Sequence, residues 1–197
     1  MKILIACEES QEVCKAFRAK GHDAYSCDIL EPSGDLPQFH IRGDVLKFLG
    51  RNKFNDFSGW DMMIAHPPCT RLCNSGVMWL ERRNLWGDLG KAVDFFRTLQ
   101  NADIPKICIE NPIPHKYAVS PLGKYDQLIQ PWQFGHGETK ATCLWLKGLP
   151  KLQPTDIVEG RYPATHLMSP SPDRGIKRSI TYQGIATAMA EQWGILG

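Results

Sequence analysis

Short apolar runs alternate with segments of helical periodicity over the first 110 residues, and this alternation constrains the fold more than any other feature. Strands that alternate with helices favour a mainly parallel sheet with helices on both faces. The expected fold is therefore α/β, with a doubly wound sheet. The apolar runs predict strands at 3–5, 24–27, 60–65, 104–109 and, later, 143–146, with one helix between Ser10 and Gly21 and further helices over 45–49, 89–99 and 185–193.

Polar residues mark the predicted ends of these elements. Ser10 is the expected N-cap of the first helix, with Glu12 in its first turn and Gly21 at its end. Asp44 is expected to cap the short helix that follows it, or to bind a ligand.

The length of 197 residues suits one domain, predicted to span 1–197 without a separate target-recognition domain. The formal net charge of only +2 excludes a strongly basic coat, so any nucleic-acid contact must come from a local patch. Residues Pro131–Lys140 and Arg174–Arg178 are the predicted patch, although they could equally be solvated loop charges.

Seven scattered cysteines, an odd number, argue against a disulfide framework. The sequence carries no export signal pattern and no apolar run near the ~20 residues of a membrane span. Reduced thiols and a cytoplasmic location are therefore expected.

Unusual polar residues follow four of the predicted strands. In an open parallel sheet, ligands bind beyond the carboxyl ends of the strands, so these residues predict a site. They are Cys7-Glu8-Glu9-Ser10, Asp28, His66-Pro67-Pro68-Cys69 and Glu110-Asn111-Pro112.

Cys69 directly follows two prolines, which stiffen the backbone and carry no N–H groups. A rigidly held thiol suits a nucleophile, although a rigid turn with a buried cysteine is the simpler interpretation. Glu110 follows an apolar run, so burial is expected to raise its pKa and let it donate a proton. Alternatively, Glu110-Asn111-Pro112 could simply be a turn that ends the strand. Asp28 and Asp44 suit the hydroxyl and amino groups of a nucleoside.

These motifs resemble the catalytic domain of DNA cytosine carbon-5 methyltransferases, especially short methyltransferase-like proteins encoded by bacteriophages. Pro67-Pro68-Cys69 is similar to the nucleophile motif of that family, and Glu110-Asn111 to its Glu-Asn motif. Further similarity lies in Asp28, Gly43-Asp44, the stretch 134–148 and Tyr182-Gln183-Gly184.

The resemblance implies a Rossmann-like fold, S-adenosylmethionine as cofactor and a cytosine in DNA as methyl acceptor. Cys69 would attack carbon 6, Glu110 would neutralise the ring, Asn111 belongs to the same motif, and Lys140 would contact the base or a phosphate. His66 could tune the pKa of Cys69. The implied cofactor residues are Cys7, Glu8, Glu9, Ser10, Asp28, Asp44, Pro67 and Gly184.

The chain departs from the family in its first loop, where Ala6-Cys7-Glu8-Glu9-Ser10 replaces Phe-x-Gly-x-Gly. Three alternatives therefore stay open. The chain could methylate an exocyclic amino group, or it could be a nucleic-acid- or protein-binding module without activity. A zinc site at His66, Cys69 and Cys73 is the weakest of the three.

Overall fold

A computed structural model describes residues 1–50 and 59–196, and its centre is a seven-stranded sheet. The strand order is β3-β2-β1-β4-β5-β7-β6, and only β7 runs antiparallel to its neighbours. The strands are β1 Lys2–Ala6, β2 Asp23–Asp28, β3 His40–Arg42, β4 Met62–Ala65, β5 Lys106–Pro112, β6 Gln127–Ile129 and β7 Thr142–Lys147.

Helices cover both faces of the sheet. The α-helices are α1 Glu12–Ala19, α2 Val77–Arg82, α3 Trp86–Gln100, α4 Lys116–Leu122, α5 Ala164–Leu167, α6 Arg174–Ser179 and α7 Gln183–Trp193. Short 3-10 helices lie at Pro37–Phe39, Val45–Phe48, Asn74–Gly76, Pro131–Gln133 and Gly194–Leu196. None of the helices in the described ranges is long and apolar enough to span a bilayer.

Successive side chains of the central strands point to opposite faces of the sheet, which is why helices cover both faces. Leu4 and Ala6 of β1 join one apolar core with α3, whereas Ile3 and Ile5 join the other with α1 and α7. All four side chains are fully buried, as in a parallel sheet with helices on both faces. The structure confirms the doubly wound, mainly parallel α/β sheet.

The sequence patterns missed β3 and β6, which are three residues each. They also ended the fourth predicted strand too early. Glu110 and Asn111 lie inside β5, where they pair with Leu144 and Cys143 of the antiparallel β7. The partner strand extends β5 beyond the point at which its apolar run stops.

Candidate active site

The strand order reverses between β1 and β4, and a cavity of about 590 Å³ opens at the carboxyl ends of these strands. A crevice at such a switch point is where open α/β sheets bind ligands. The described lining residues are Cys7, Glu8, Glu9, Ser10, Cys27, Asp28, Ile29, Leu30, Gly43, Asp44, Val45, His66, Pro68, Phe95, Gly175, Ile176, Ser179 and Thr181.

Six of the eight predicted cofactor residues line this cavity, and two do not. Pro68 is at the wall instead of Pro67. Gly184 packs elsewhere, because its N–H donates to Nε2 of His136 at 3.0 Å and a Cβ there would meet the Phe134 carbonyl oxygen. The glycine at position 184 therefore permits a close packing contact.

The wall of the cavity is acidic. Carboxyl groups come from Glu8, Glu9, Asp28 and Asp44, and no lysine or arginine is among the described lining residues. Oε1 of Glu9 is buried and has no hydrogen-bond partner. Such a wall favours a ligand with a positive charge over a phosphate-bearing nucleotide.

The loop after β1 makes its sharp turns without glycine. Cys7 and Gln11 have φ angles of 59° and 62°, in the left-handed region that glycine usually occupies. The fully buried side chain of Gln11 holds the loop, since it donates to Ser26 Oγ at 3.1 Å and accepts from the Leu36 N–H at 3.1 Å. The hydrogen bonds of Gln11 thus hold the loop in a backbone conformation that glycine would adopt more easily.

Glu8, and not Ser10, caps the first helix. Its carboxylate accepts the backbone N–H groups of Val13 at 2.6 Å and Cys14 at 3.2 Å. The prediction for Ser10 was wrong because a longer side chain from further upstream reaches the free amides first. Burial raises the pKa of Glu8 to about 7, although His66 and the two amides oppose the rise.

The two aspartates at the cavity each bind the backbone with one oxygen. Asp28 accepts the Leu30 N–H at 2.9 Å, and Asp44 accepts the Leu46 N–H at 3.0 Å. Asp44 is therefore the N-cap of the 3-10 helix at Val45–Phe48, as predicted. It also lines the cavity, so its two expected roles are compatible.

Cys69 forms a thiol pair with Cys73, which lies one turn further on. The Cys69 carbonyl accepts the Cys73 N–H at 3.0 Å, and the two side chains hydrogen-bond each other. The Cys73 sulfur also lies 3.1 Å from Ser75 Oγ. The contact with Cys69 and these further hydrogen bonds lower the pKa of Cys73 to about 5, whereas the contact with Cys73 raises the pKa of Cys69. The two thiols therefore titrate together, and Cys73 is the more acidic of them.

Glu110 is paired with His66, whose Nδ1 lies 3.0 Å from Oε2 of the carboxylate. Burial raises the pKa of Glu110, but the hydrogen bond and charge of His66 outweigh burial, so the pKa is lowered overall. The expectation of a raised pKa was wrong for this reason. Burial lowers the pKa of His66, yet Glu110 and Glu8 together leave it raised. His66 thus partners Glu110 rather than Cys69.

Asn111 and Lys140 lie near the two segments that carry Cys69 and Glu110. The Asn111 side chain donates to the Pro67 carbonyl at 3.3 Å, and so joins β5 to the Pro-Pro segment. Lys140 donates to the Ile180 carbonyl at 3.4 Å and lies 5.6 Å from the Tyr182 ring centroid. Its charge helps to lower the pKa of Glu110.

Two contacts in this region could not be predicted from the sequence. The contact of Cys69 with Cys73 and the His66–Glu110 pair carried no distinctive signal, because each depends on folding. All seven cysteines are free thiols in the structure. No group of three potential ligands that could hold a metal occurs within residues 1–50 and 59–196, so the zinc alternative has no support there.

The sequence matches no protein-family model and no curated protein. Its fold, however, is similar to those of solved structures. A DNA modification methyltransferase encoded within an E. coli prophage aligns with TM-score 0.52 and 13% identity, over 81% of this chain and 52% of that one. The Entamoeba histolytica methyltransferase EhMeth aligns with TM-score 0.54 and 13% identity, over 80% and 57%.

The chain shares the fold of these two methyltransferases. This finding confirms the fold that the motifs predicted. The chain spans slightly more than half the length of either methyltransferase.

Proposed function

We propose that the chain is an S-adenosylmethionine-dependent methyltransferase that acts on carbon 5 of cytosine in DNA, with Cys69 as nucleophile. One observation carries the proposal: the acidic cavity reaches both the His66–Glu110 pair and the Pro-Pro segment that precedes Cys69. His66 lines the cavity and binds Glu110. Pro68 lines the cavity and directly precedes Cys69.

The cavity suits the proposed cofactor in size and charge. About 590 Å³ lies within the range of small-molecule sites. S-adenosylmethionine supplies a methyl group on a positively charged sulfonium. Asp28 and Asp44 would accept hydrogen bonds from its nucleoside part, and the unpartnered Oε1 of Glu9 is a buried acceptor at the wall. Ile29 and Leu30 supply an apolar surface for a purine ring.

The Cys69 thiol loses its proton to water before it attacks, and the Cys69 sulfur then bonds to carbon 6 of the pyrimidine. Carbon 5 becomes enamine-like; S-adenosylmethionine, when bound, would supply the methyl group and leave as the neutral thioether. When a base or water removes the carbon-5 proton, the carbon–sulfur bond breaks and the Cys69 thiolate is released. Cys73 acts through Cys69 and is a positioning residue.

Glu110 and His66 together hold one exchangeable proton beside the acceptor. Thiolate attack at carbon 6 places negative charge on the ring nitrogen and carbonyl edge of the base. A proton from the pair neutralises that charge, and the imidazole keeps the carboxyl group oriented. General acid catalysis of this kind contributes about 100- to 10,000-fold to a rate.

The residue after Pro-Pro argues against methylation of an exocyclic amino group. Enzymes of that class place an aromatic ring there, which stacks on the base, and a cysteine cannot do so. Cys69 is only partly buried and therefore accessible to an acceptor.

Calorimetric titration with S-adenosylmethionine tests whether the chain binds the proposed cofactor, and an absence of heat at millimolar cofactor would refute it.

DNA that contains 5-fluorocytosine tests whether Cys69 is the nucleophile, because fluorine cannot leave as a proton does. We expect a covalent adduct that peptide mapping assigns to Cys69 and that Cys69→Ser abolishes. Methyl groups on an exocyclic nitrogen would support the amino-group alternative. Binding of DNA without any transfer would support the binding module.

A further inference from the structure

Exposed aromatic residues lie on helices that follow the Cys69 segment and Asn111 along the chain, and the mechanism makes no use of them. We call them, with the cations on the same helices, the α2–α4 face, which includes the start of α3; its rings are Trp79, Trp86 and Tyr117, and its cations are Arg82, Arg83 and Lys116. The exposed fractions of the three aromatic residues are 37%, 42% and 45%. Large aromatic residues this exposed commonly mark a binding surface when they cluster.

Cations lie over these rings. The Arg83 guanidinium is 4.3 Å from the Trp79 ring centroid, and the Lys116 ammonium is 4.7 Å from that of Tyr117. Neither of these cations, nor Arg82, forms an ion pair with a carboxylate in the described part of the chain. Three positive charges are therefore available to an anionic partner.

The face continues directly from both catalytic segments. Helix α2 follows the Cys69 segment, and α4 follows Asn111. His115 connects these two segments. Its backbone N–H donates to the Leu72 carbonyl at 2.9 Å, and its ring Nε2 lies 2.8 Å from the Arg71 carbonyl oxygen. Trp86 and Tyr117 then meet edge to face, with ring centroids 5.1 Å apart.

We propose that the α2–α4 face binds a nucleic-acid strand with unpaired bases, which stack on its rings while the cations bind phosphates. Stacking platforms that alternate with positive charge are how proteins hold single strands without reading sequence. This inference rests on the proposed function and specifies its substrate: a polymer rather than a free nucleotide. A mononucleotide has one base and cannot occupy several rings at once.

The test is binding of the full chain, without cofactor, to a labelled single strand of about 12 nucleotides, within the length such proteins occupy. We expect the single strand to bind more tightly than the matched duplex, and far more tightly than deoxycytidine monophosphate. Trp79→Ala should weaken binding about 10-fold, whereas Trp79→Phe, which keeps a ring, should retain most of the affinity. Each variant must keep the thermal midpoint of the wild type.

Salt dependence tests the cations separately. Arg83→Gln should reduce the slope of log affinity against log salt by about 0.7, as expected for one phosphate contact on a single strand. Lys20→Gln is the matched control, since it removes one charge just before β2, at the opposite edge of the sheet from Cys69. It should leave the slope unchanged.

Three results would overturn the inference: a duplex or mononucleotide that binds as tightly as the single strand, a Trp79→Ala variant with wild-type affinity, or equal slopes for Arg83→Gln and Lys20→Gln. Capture of a protein partner with no affinity for the oligonucleotide would also overturn it. These results are distinguishable from failure of the proposed function. If strand binding depends on Trp79 but no S-adenosylmethionine binds, the face stands and the methyltransferase assignment fails.

Discussion

A buried glutamate after β1 and a half-buried glutamate in β5 have pKa values shifted in opposite directions. Glu8 is surrounded by backbone amides of α1, and burial raises its pKa to about 7. Glu110 has the imidazole of His66 at 3.0 Å, and its pKa is lowered despite burial. Burial alone therefore does not determine the charge of a carboxyl group at this sheet edge; the partner decides it.

The difference separates two regions of the site. On the side of the proposed cofactor, Glu8 serves the fold, because both of its oxygens are engaged by α1. On the side of the proposed acceptor, Glu110 belongs to an ion pair with His66. Substitutions at the two glutamates should consequently act on different measurable properties.

The largest effect is expected at Glu110. Glu110→Gln keeps the shape of the side chain but cannot take or give a proton, so methyl transfer should fall about 1,000-fold. Affinity for S-adenosylmethionine should not change, because Glu110 is not among the described residues that line the cavity. Single-turnover rates and calorimetry measure the two quantities. A variant with the wild-type rate would remove Glu110 from the mechanism.

Glu8 should instead control the pH dependence of stability. Its pKa rises from an ordinary 4.5 to about 7 on folding, so its contribution is fully present below pH 4.5 and is lost as pH rises through 7. The loss amounts to about 3 kcal/mol in the free energy of unfolding. Glu8→Gln removes the titrating group, so the stability of this variant should not fall as pH rises from 4.5 through 7 in denaturant titrations. Glu12→Gln, a control at a partly exposed position of the same helix, should follow the wild-type pH profile.

A smaller effect is expected at Asp28 on the cofactor side. Asp28→Ala should weaken S-adenosylmethionine binding about 10-fold, the cost of leaving a buried hydroxyl group unpaired. The rate at saturating cofactor should stay near that of the wild type. Asp35→Ala removes an exposed acid outside the described cavity lining and should change neither quantity. A rate loss in Asp28→Ala without an affinity loss would contradict the division of the site.

The smallest expected effect is on the pKa of Glu110, which should come to be raised like that of Glu8 when His66 is replaced. His66→Gln leaves an amide that can still donate a hydrogen bond, but it removes the positive charge while burial remains. The pKa of Glu110 should then rise above its ordinary value, in contrast to the wild type, in a carbon-13 NMR titration of the carboxyl group. Should that pKa stay low in the variant, Lys140 rather than His66 would be the main source of the shift.

Local chemistry was sufficient to predict much of this site. The apolar runs of β1, β2 and β4 were recognisable because both faces of those strands are buried. Asp28 and Asp44 could be expected at the cavity, since the carboxyl ends of parallel strands share one edge. The strands β3 and β6 escaped detection because three residues are too few to establish a pattern.

What the sequence determined by itself was which residues end the strands and which of them could be reactive. Their charges were decided only by tertiary structure. His66 lies 44 positions before Glu110, and their contact exists because β4 and β5 are neighbours in the sheet. Gln11 likewise holds the glycine-free loop through partners as distant as Leu36. The pKa of a buried group and the strain of a loop depend on atoms nearby in space, and the order of residues along the chain does not specify those atoms until the sheet has formed.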